Sequence, residues 1–172
     1  MDEDDRDVEP GRPGELIVRG DIVTNGYYNN PGATRDTFRN GWFCTGDIAT
    51  DRGGKFYIVD RKKEIFKYKG LQVAPAELEA FLITHPDIQE AAVVGLPEVG
   101  AGEVPRAYVV ADPEKVSKEA IKNFVAESKA SYKQLRGGVV FVQELPKNAI
   151  GKILRRELRE RAKTEVGRVS KL

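Results

Sequence analysis

The sequence is short of the residues that build metal and disulfide sites: in 172 residues there is one cysteine and one histidine. A single cysteine excludes an intrachain disulfide framework and a cysteine-rich zinc site, and a single histidine excludes a multi-histidine cluster. No metal site is expected within the chain. There is no surplus of one charge either, with Lys plus Arg at 28 and Asp plus Glu at 27. A general nucleic-acid binder needs a basic surplus to neutralise phosphates, so no nucleic-acid partner is expected. No apolar run approaches the ~20 residues of a membrane helix, and the N-terminus lacks a signal-peptide pattern. The 40% hydrophobic and 32% charged composition is that of an ordinary soluble, intracellular domain, with room for one compact domain or two small ones.

The charge that is present is unevenly placed. Met1 to Glu9 hold six acidic residues against Arg6, and Lys147 to Leu172 hold nine basic against three acidic. The acidic start reads as a solvated, loosely ordered end. Up to Asp60 the pattern is β structure in short pieces. Leu16–Arg19 is a strand, Thr34–Arg39 a brief helical turn ended by Asn40-Gly41, Trp42-Phe43 the start of a strand, and Asp51–Gly54 a hairpin turn before Lys55–Val59. After Asp60 the pattern changes. A hairpin turns near Lys69-Gly70, and Pro75 opens a helix with Leu78, Phe81 and Leu82 on one face. Ala91–Leu96, Ala107–Ala111 and Val139–Val142 are buried strands, and Ser117 caps a helix with Ile121, Phe124 and Val125 inward. Lys152 to Lys163 reads as an amphipathic helix carrying Leu154, Leu158 and Ala162. The fold class is α+β.

Several familiar chemistries are missing. Gly151-Lys152 is followed by Ile153, so it is not a P-loop. His85 sits at a helix stop, where a capping or surface role suits it. Cys44 lies beside aromatic residues and reads as a structural thiol rather than a nucleophile.

Three segments are specific together. They are Trp42-Phe-Cys-Thr-Gly-Asp47, the stretch from Tyr57 to Glu79 containing Asp60-Arg61-Lys62-Lys63 and Lys67-Tyr68-Lys69-Gly70-Leu71-Gln72-Val73-Ala74-Pro75, and Leu145-Pro-Lys-Asn-Ala-Ile-Gly-Lys152. In order and spacing they resemble the C-terminal third of the adenylate-forming superfamily: acyl- and aryl-CoA synthetases, 4-coumarate–CoA ligases and beetle luciferases. The similarity covers nearly the whole chain after its acidic start. It implies a C-terminal lid domain with a small sheet and flanking helices (67–172), a hinge (61–66) and, before it, a β-rich end of the large N-terminal domain (1–60).

The resemblance also implies roles. Family members join a carboxylic acid to ATP as an acyl-adenylate, and most then pass the acyl group to coenzyme A. Asp47 matches the acid that accepts from the ribose hydroxyls, a task suited to a two-oxygen acceptor. Arg61 matches an arginine near the ribose; standing alone it reads as a surface ion pair of little worth. Lys152 matches the catalytic lysine of adenylation, and Lys63 the hinge position. Lys67 and Gln72 match positions that reach the active site during thioester formation, and Lys69 and Gly70 the stretch along coenzyme A. Without the resemblance, Lys62, Lys63, Lys67 and Lys69 read as a solvated basic hairpin.

The family's phosphate-binding loop, its Tyr-Gly-x-Thr-Glu segment and its acyl pocket are absent from these residues, and the Mg²⁺ ligands are expected outside them. The expectation is a C-terminal fragment, inactive alone, whose partners are an N-terminal adenylation domain and a small-molecule carboxylic acid. Ser170-Lys171-Leu172 spell a peroxisomal import address, which implies the import receptor and a peroxisomal location. Two alternatives stay open: a luciferase-like adenylating oxygenase, and a stand-alone CoA- or nucleotide-binding module without catalysis.

Overall fold

In the computed structural model, which describes residues 1–2 and 4–169, the chain divides into two compact units, Met1–Lys63 and Glu64–Leu172. The Ser170-Lys171-Leu172 tripeptide lies outside the described residues. Among the described residues the fold is mixed α and β, with two small sheets and four α-helices.

Unit 1 is built on β3 (Trp42–Asp51). Strands β1 (Gly14–Val18), β2 (Phe38–Arg39) and β4 (Phe56–Arg61) all pair with it antiparallel. The expected helical turn is α1 (Pro31–Thr37), capped by the Asn30 side chain on the Ala33 N–H at 3.0 Å. It ends before Phe38 and Arg39, which are strand rather than helix. Asn40 and Gly41 both take positive φ, 50° and 79°. That is the geometry of a tight hairpin turn, which draws Phe38 and Arg39 into register with Phe43 and Trp42.

Unit 2 opens with the hairpin β5 (Phe66–Tyr68) and β6 (Leu71–Val73). Helix α2 (Pro75–Leu82) follows with Leu78 and Leu82 fully buried. The long antiparallel pair β7 (Ile88–Glu98) and β8 (Gly102–Ala111) forms the sheet's spine. Helix α3 (Lys118–Ser128) begins at Ser117, whose hydroxyl accepts from the Ala120 N–H at 3.1 Å. Strand β9 (Val139–Phe141) pairs parallel to β8, and of its three residues only Val139 is buried. It is therefore not the fully buried strand expected from its apolar run. Helix α4 (Arg155–Val169) closes the unit.

The core gathers Leu78, Leu82, Val93, Val94, Tyr108, Val109, Ile121, Val125 and Leu158. Each such side chain contributes roughly 1.5–3 kcal/mol on burial. Phe81 stacks on Phe124 with centroids 4.6 Å apart, joining α2 to α3.

Candidate functional site

In unit 1, the β3–β4 register sets Asp47 opposite Arg61. Arg61 Nε lies 2.8 Å from Asp47 Oδ1, with the two side chains 49% and 26% exposed. Arg61 Nη1 also donates to the Thr45 carbonyl at 3.3 Å. Gly46 turns with φ 73° and accepts from the Lys62 N–H at 2.8 Å. The ion pair presents a carboxylate and a guanidinium at one exposed point. A carboxylate has about four acceptor sites, so Asp47 keeps acceptor capacity beyond this bond. Lys63 is exposed at the last position of the unit.

The hairpin of unit 2 holds four of the candidates. Lys67 and Gln72 are cross-strand partners. Lys69 and Gly70 form the turn between them, with φ 48° and 80°. A two-residue hairpin turn of type I′ has positive φ at both positions, which glycine adopts freely and lysine does not. A Cβ at Gly70 would meet nothing within 4 Å, so the turn itself accounts for this glycine. The Lys69 N–H donates to the Ala101 carbonyl at 2.8 Å, fixing the turn against the start of β8. Beside it runs an open groove of about 670 Å³, lined by Tyr68, Lys69, Lys122, Gln134, Arg136 and the loop Glu98–Ala101. The Tyr68 ring is flanked by two cations, Lys69 Nζ at 5.6 Å and Arg136 Cζ at 5.6 Å from its centroid. Three cations against Glu98 make this groove suited to a phosphorylated ligand. Lys122 and Arg136 are distant from Lys69 in sequence. Only the fold brings them to it, which is why motif reading passed them over.

Lys152 is not on a helix. It lies on a small hairpin closed by the bridge between Lys147 and Ile153, and α4 starts three residues later. Asn148 holds the loop. Its side chain accepts from the N–H groups of Ile150 at 3.2 Å and Lys152 at 2.8 Å. Its own N–H donates to the Lys152 carbonyl at 2.9 Å. Gly151 supplies the positive φ, 80°. The Lys152 side chain is exposed, and among the described residues no ion pair engages it.

The structure thus joins Asp47 with Arg61, and Lys67 with Gln72 around the Lys69–Gly70 turn. Cys44 is half-buried. Burial pushes its thiol upward, away from the thiolate a nucleophile needs. His85 packs edge-on against Phe124 at 5.0 Å and accepts the Asp87 N–H through Nδ1 at 3.2 Å, a local capping arrangement.

Residues 77–152 match the family model of the AMP-binding enzyme C-terminal domain. The whole chain is 51% identical over 176 residues to a putative acyl-coenzyme A synthetase of Emericella nidulans, of which it spans 32%. It is 47% identical over 154 residues to a luciferin 4-monooxygenase of Photuris pensylvanica, with 88% of the chain matched to 28% of that enzyme. The chain thus spans about a third of the length of the curated relatives it matches. Among solved structures, the anthranilate CoA ligase AuaEII in complex with anthranoyl-AMP superposes with a TM-score of 0.85 at 34% identity, over 97% of this chain and 33% of that one. Residues 77–152 of the second unit thus carry the AMP-binding enzyme C-terminal domain, the C-terminal domain of adenylate-forming enzymes.

Proposed function

We propose that this chain is the C-terminal part of an ATP-dependent acyl- or aryl-CoA ligase and needs a preceding adenylation domain to turn over. The observation that carries the reading is Lys152, an exposed ammonium on a hairpin whose backbone is hydrogen-bonded on both sides. In adenylation a carboxylate oxygen of the acid attacks the α-phosphorus of ATP, and the bond to pyrophosphate breaks. Lys152 bridges the carboxylate and the α-phosphate as charge moves between them. At ~4 Å and an effective dielectric of ~20, one such charge pair is worth about 4 kcal/mol. Asp47 accepts from the ribose hydroxyls and Arg61 holds Asp47 in place. In the second step the thiol sulfur of coenzyme A attacks the acyl carbonyl, AMP leaves, and the thiol proton is lost to solvent. Lys67 and Gln72 serve that step, and the groove beside Lys69 and Gly70 takes the phosphorylated end of coenzyme A. Lys63 is the hinge position between the two steps. We assign the Mg²⁺ ligands to the preceding domain. We place the enzyme in the peroxisome on the Ser170-Lys171-Leu172 address, which removal of Leu172 from a fluorescent fusion tests by loss of import.

The test is pyrophosphate exchange by this chain joined to the large domain of a related ligase, across fatty and cinnamic-type acids. Lys152→Ala is expected to cut adenylation by about 10²–10³ while thioester formation from a supplied acyl-adenylate persists. Equal loss in both half-reactions would overturn the role of Lys152. Exchange by the chain alone would overturn the need for a preceding domain. Oxygen consumption with light from the adenylate would favour the oxygenase, and binding of coenzyme A without exchange in any combination would favour a non-catalytic module.

A further inference from the structure

We propose that Asn148 is a positioning residue for adenylation: it fixes the peptide of Lys152 so that the lysine side chain starts from a set place before substrate arrives. The proposal rests on the catalytic reading of Lys152 given above. Both backbone groups of Lys152 end on this one residue, the N–H on Asn148 Oδ1 at 2.8 Å and the carbonyl on the Asn148 N–H at 2.9 Å. The same Oδ1 accepts from Ile150 at 3.2 Å, and the Gly151 N–H donates to the Asn148 carbonyl at 2.9 Å. Every one of these bonds lies within a loop that buries almost nothing: residues 147–152 are all exposed. The loop has no core packing to hold its shape, so side-chain and backbone bonds from Asn148 must do it. Asparagine suits this task because its short amide reaches backbone N–H groups two residues on.

The hairpin is tied down on either side, before it to β7 directly and after it to α2. Lys147 Nζ meets Glu90 Oε1 on β7 at 2.7 Å. Arg155, three residues past Lys152, is clamped by Glu79 through two bonds of 3.1 and 2.5 Å. Glu79 in turn accepts from the Val93 N–H on β7 at 2.9 Å. With both stems fixed, the remaining freedom is the twist of residues 148–152, which Asn148 removes. The Lys152 side chain itself stays in solvent, so the device sets where its chain begins and adds no contact to the ammonium. A transition-state contact tolerates little misplacement, and about 1 Å of drift costs up to ~10²-fold in rate.

The experiment has two readouts. In the full chain, amide hydrogen exchange reads the loop directly: Asn148→Ala is expected to speed exchange at Ile150 and Lys152, and Asn148→Asp, which keeps the acceptor, to restore protection. In the chain joined to a related ligase's large domain, Asn148→Ala is expected to lower the adenylation kcat about ten- to a hundredfold. KM for ATP and acid should be unchanged, as should thioester formation from supplied adenylate, with Asn148→Asp recovering most of the loss. Lys152→Ala is measured beside it. If Lys152→Ala leaves adenylation intact, the reading of the lysine is wrong. If Lys152→Ala abolishes it and Asn148→Ala does not slow it, or if Asn148→Asp is as slow as Asn148→Ala, the positioning role is overturned. Should Asn148→Ala not fold, Asn148→Gly takes its place in the same comparison with Asn148→Asp.

Discussion

At Lys69 the backbone and the side chain make opposite demands. The backbone sits at φ 48°, where a non-glycine side chain costs about 1–2 kcal/mol. The side chain lines the groove with Lys122 and Arg136. Strain of this kind persists where something other than stability selects the residue. Asparagine tolerates positive φ far better than lysine. Lys69→Asn is therefore expected to raise unit 2's stability by up to about 1 kcal/mol in urea denaturation, and to weaken coenzyme A binding several-fold by titration calorimetry. Unchanged affinity would remove Lys69 from the phosphate site. The hairpin turn here was legible in the sequence, because Lys-Gly between two β-patterned triplets is a turn signal. The resemblance sets Gly70 on the stretch along coenzyme A; its φ of 80° shows that the turn itself calls for glycine. The groove was not legible, since no local pattern links Lys69 with a helix residue and a loop arginine more than fifty positions away.

Among the elements, α4 shows how periodicity misleads at a boundary. Leu154, Leu158 and Ala162 share a helical stripe, and nothing between Gly151 and Leu154 forbids extending it back to Lys152. The helix nevertheless begins at Arg155, because Ile153 is held in an antiparallel bridge with Lys147 and the Lys152 carbonyl accepts from the Asn148 N–H at 2.9 Å instead of from a helical N–H four residues on. Leu158 and Ala162 are buried as the stripe requires, so the face was correct and the start was not. The same boundary reveals Glu79 as the joint of three elements: it sits on α2, clamps Arg155 of α4 and accepts from β7. The side chains of Arg155 and Glu79 are only 16% and 12% exposed. Glu79→Ala removes two bonds from the nearly buried Arg155 guanidinium and the acceptor of a strand N–H together. Its expected cost is about 2–3 kcal/mol, measured by equilibrium denaturation. Glu79→Gln, which keeps an acceptor for Val93, is expected to cost less. A loss below 1 kcal/mol for Glu79→Ala would mean that α4 docks through Leu158 and Ala162 alone.

For the molecule as a whole, the two units differ in what holds them. Among the described residues Ala49 is the one buried apolar residue of unit 1, while unit 2 buries a contiguous cluster from Phe66 to Ala162. Unit 1 relies on its sheet and on polar ties, chiefly Glu15, which is nearly buried and meets Lys62 Nζ at 2.7 Å. Meanwhile Phe56 and Ile58 stand 64% and 57% exposed on β4. At roughly 1.5–3 kcal/mol per buried side chain, unit 1 lacks the term that offsets chain entropy. The composition of the two halves does not announce this, because each carries aromatic and branched residues in strand patterns. The difference arises from how many elements can cover those residues: unit 2 places three helices against its sheet, and unit 1 has a single seven-residue helix with no buried residue. Native-state amide exchange on the full chain is therefore expected to separate the units. Amides of β7, β8 and α3 should exchange only through global unfolding of unit 2, while those of β1 and β4 exchange through openings of a few kcal/mol or less. In the ligase reading, joining the large domain covers Phe56 and Ile58 and slows exchange in unit 1, leaving the core of unit 2 unchanged. Equal protection of both units in the chain alone would show that unit 1 is stable by itself, and would remove its marginal core as a reason to seek a preceding domain.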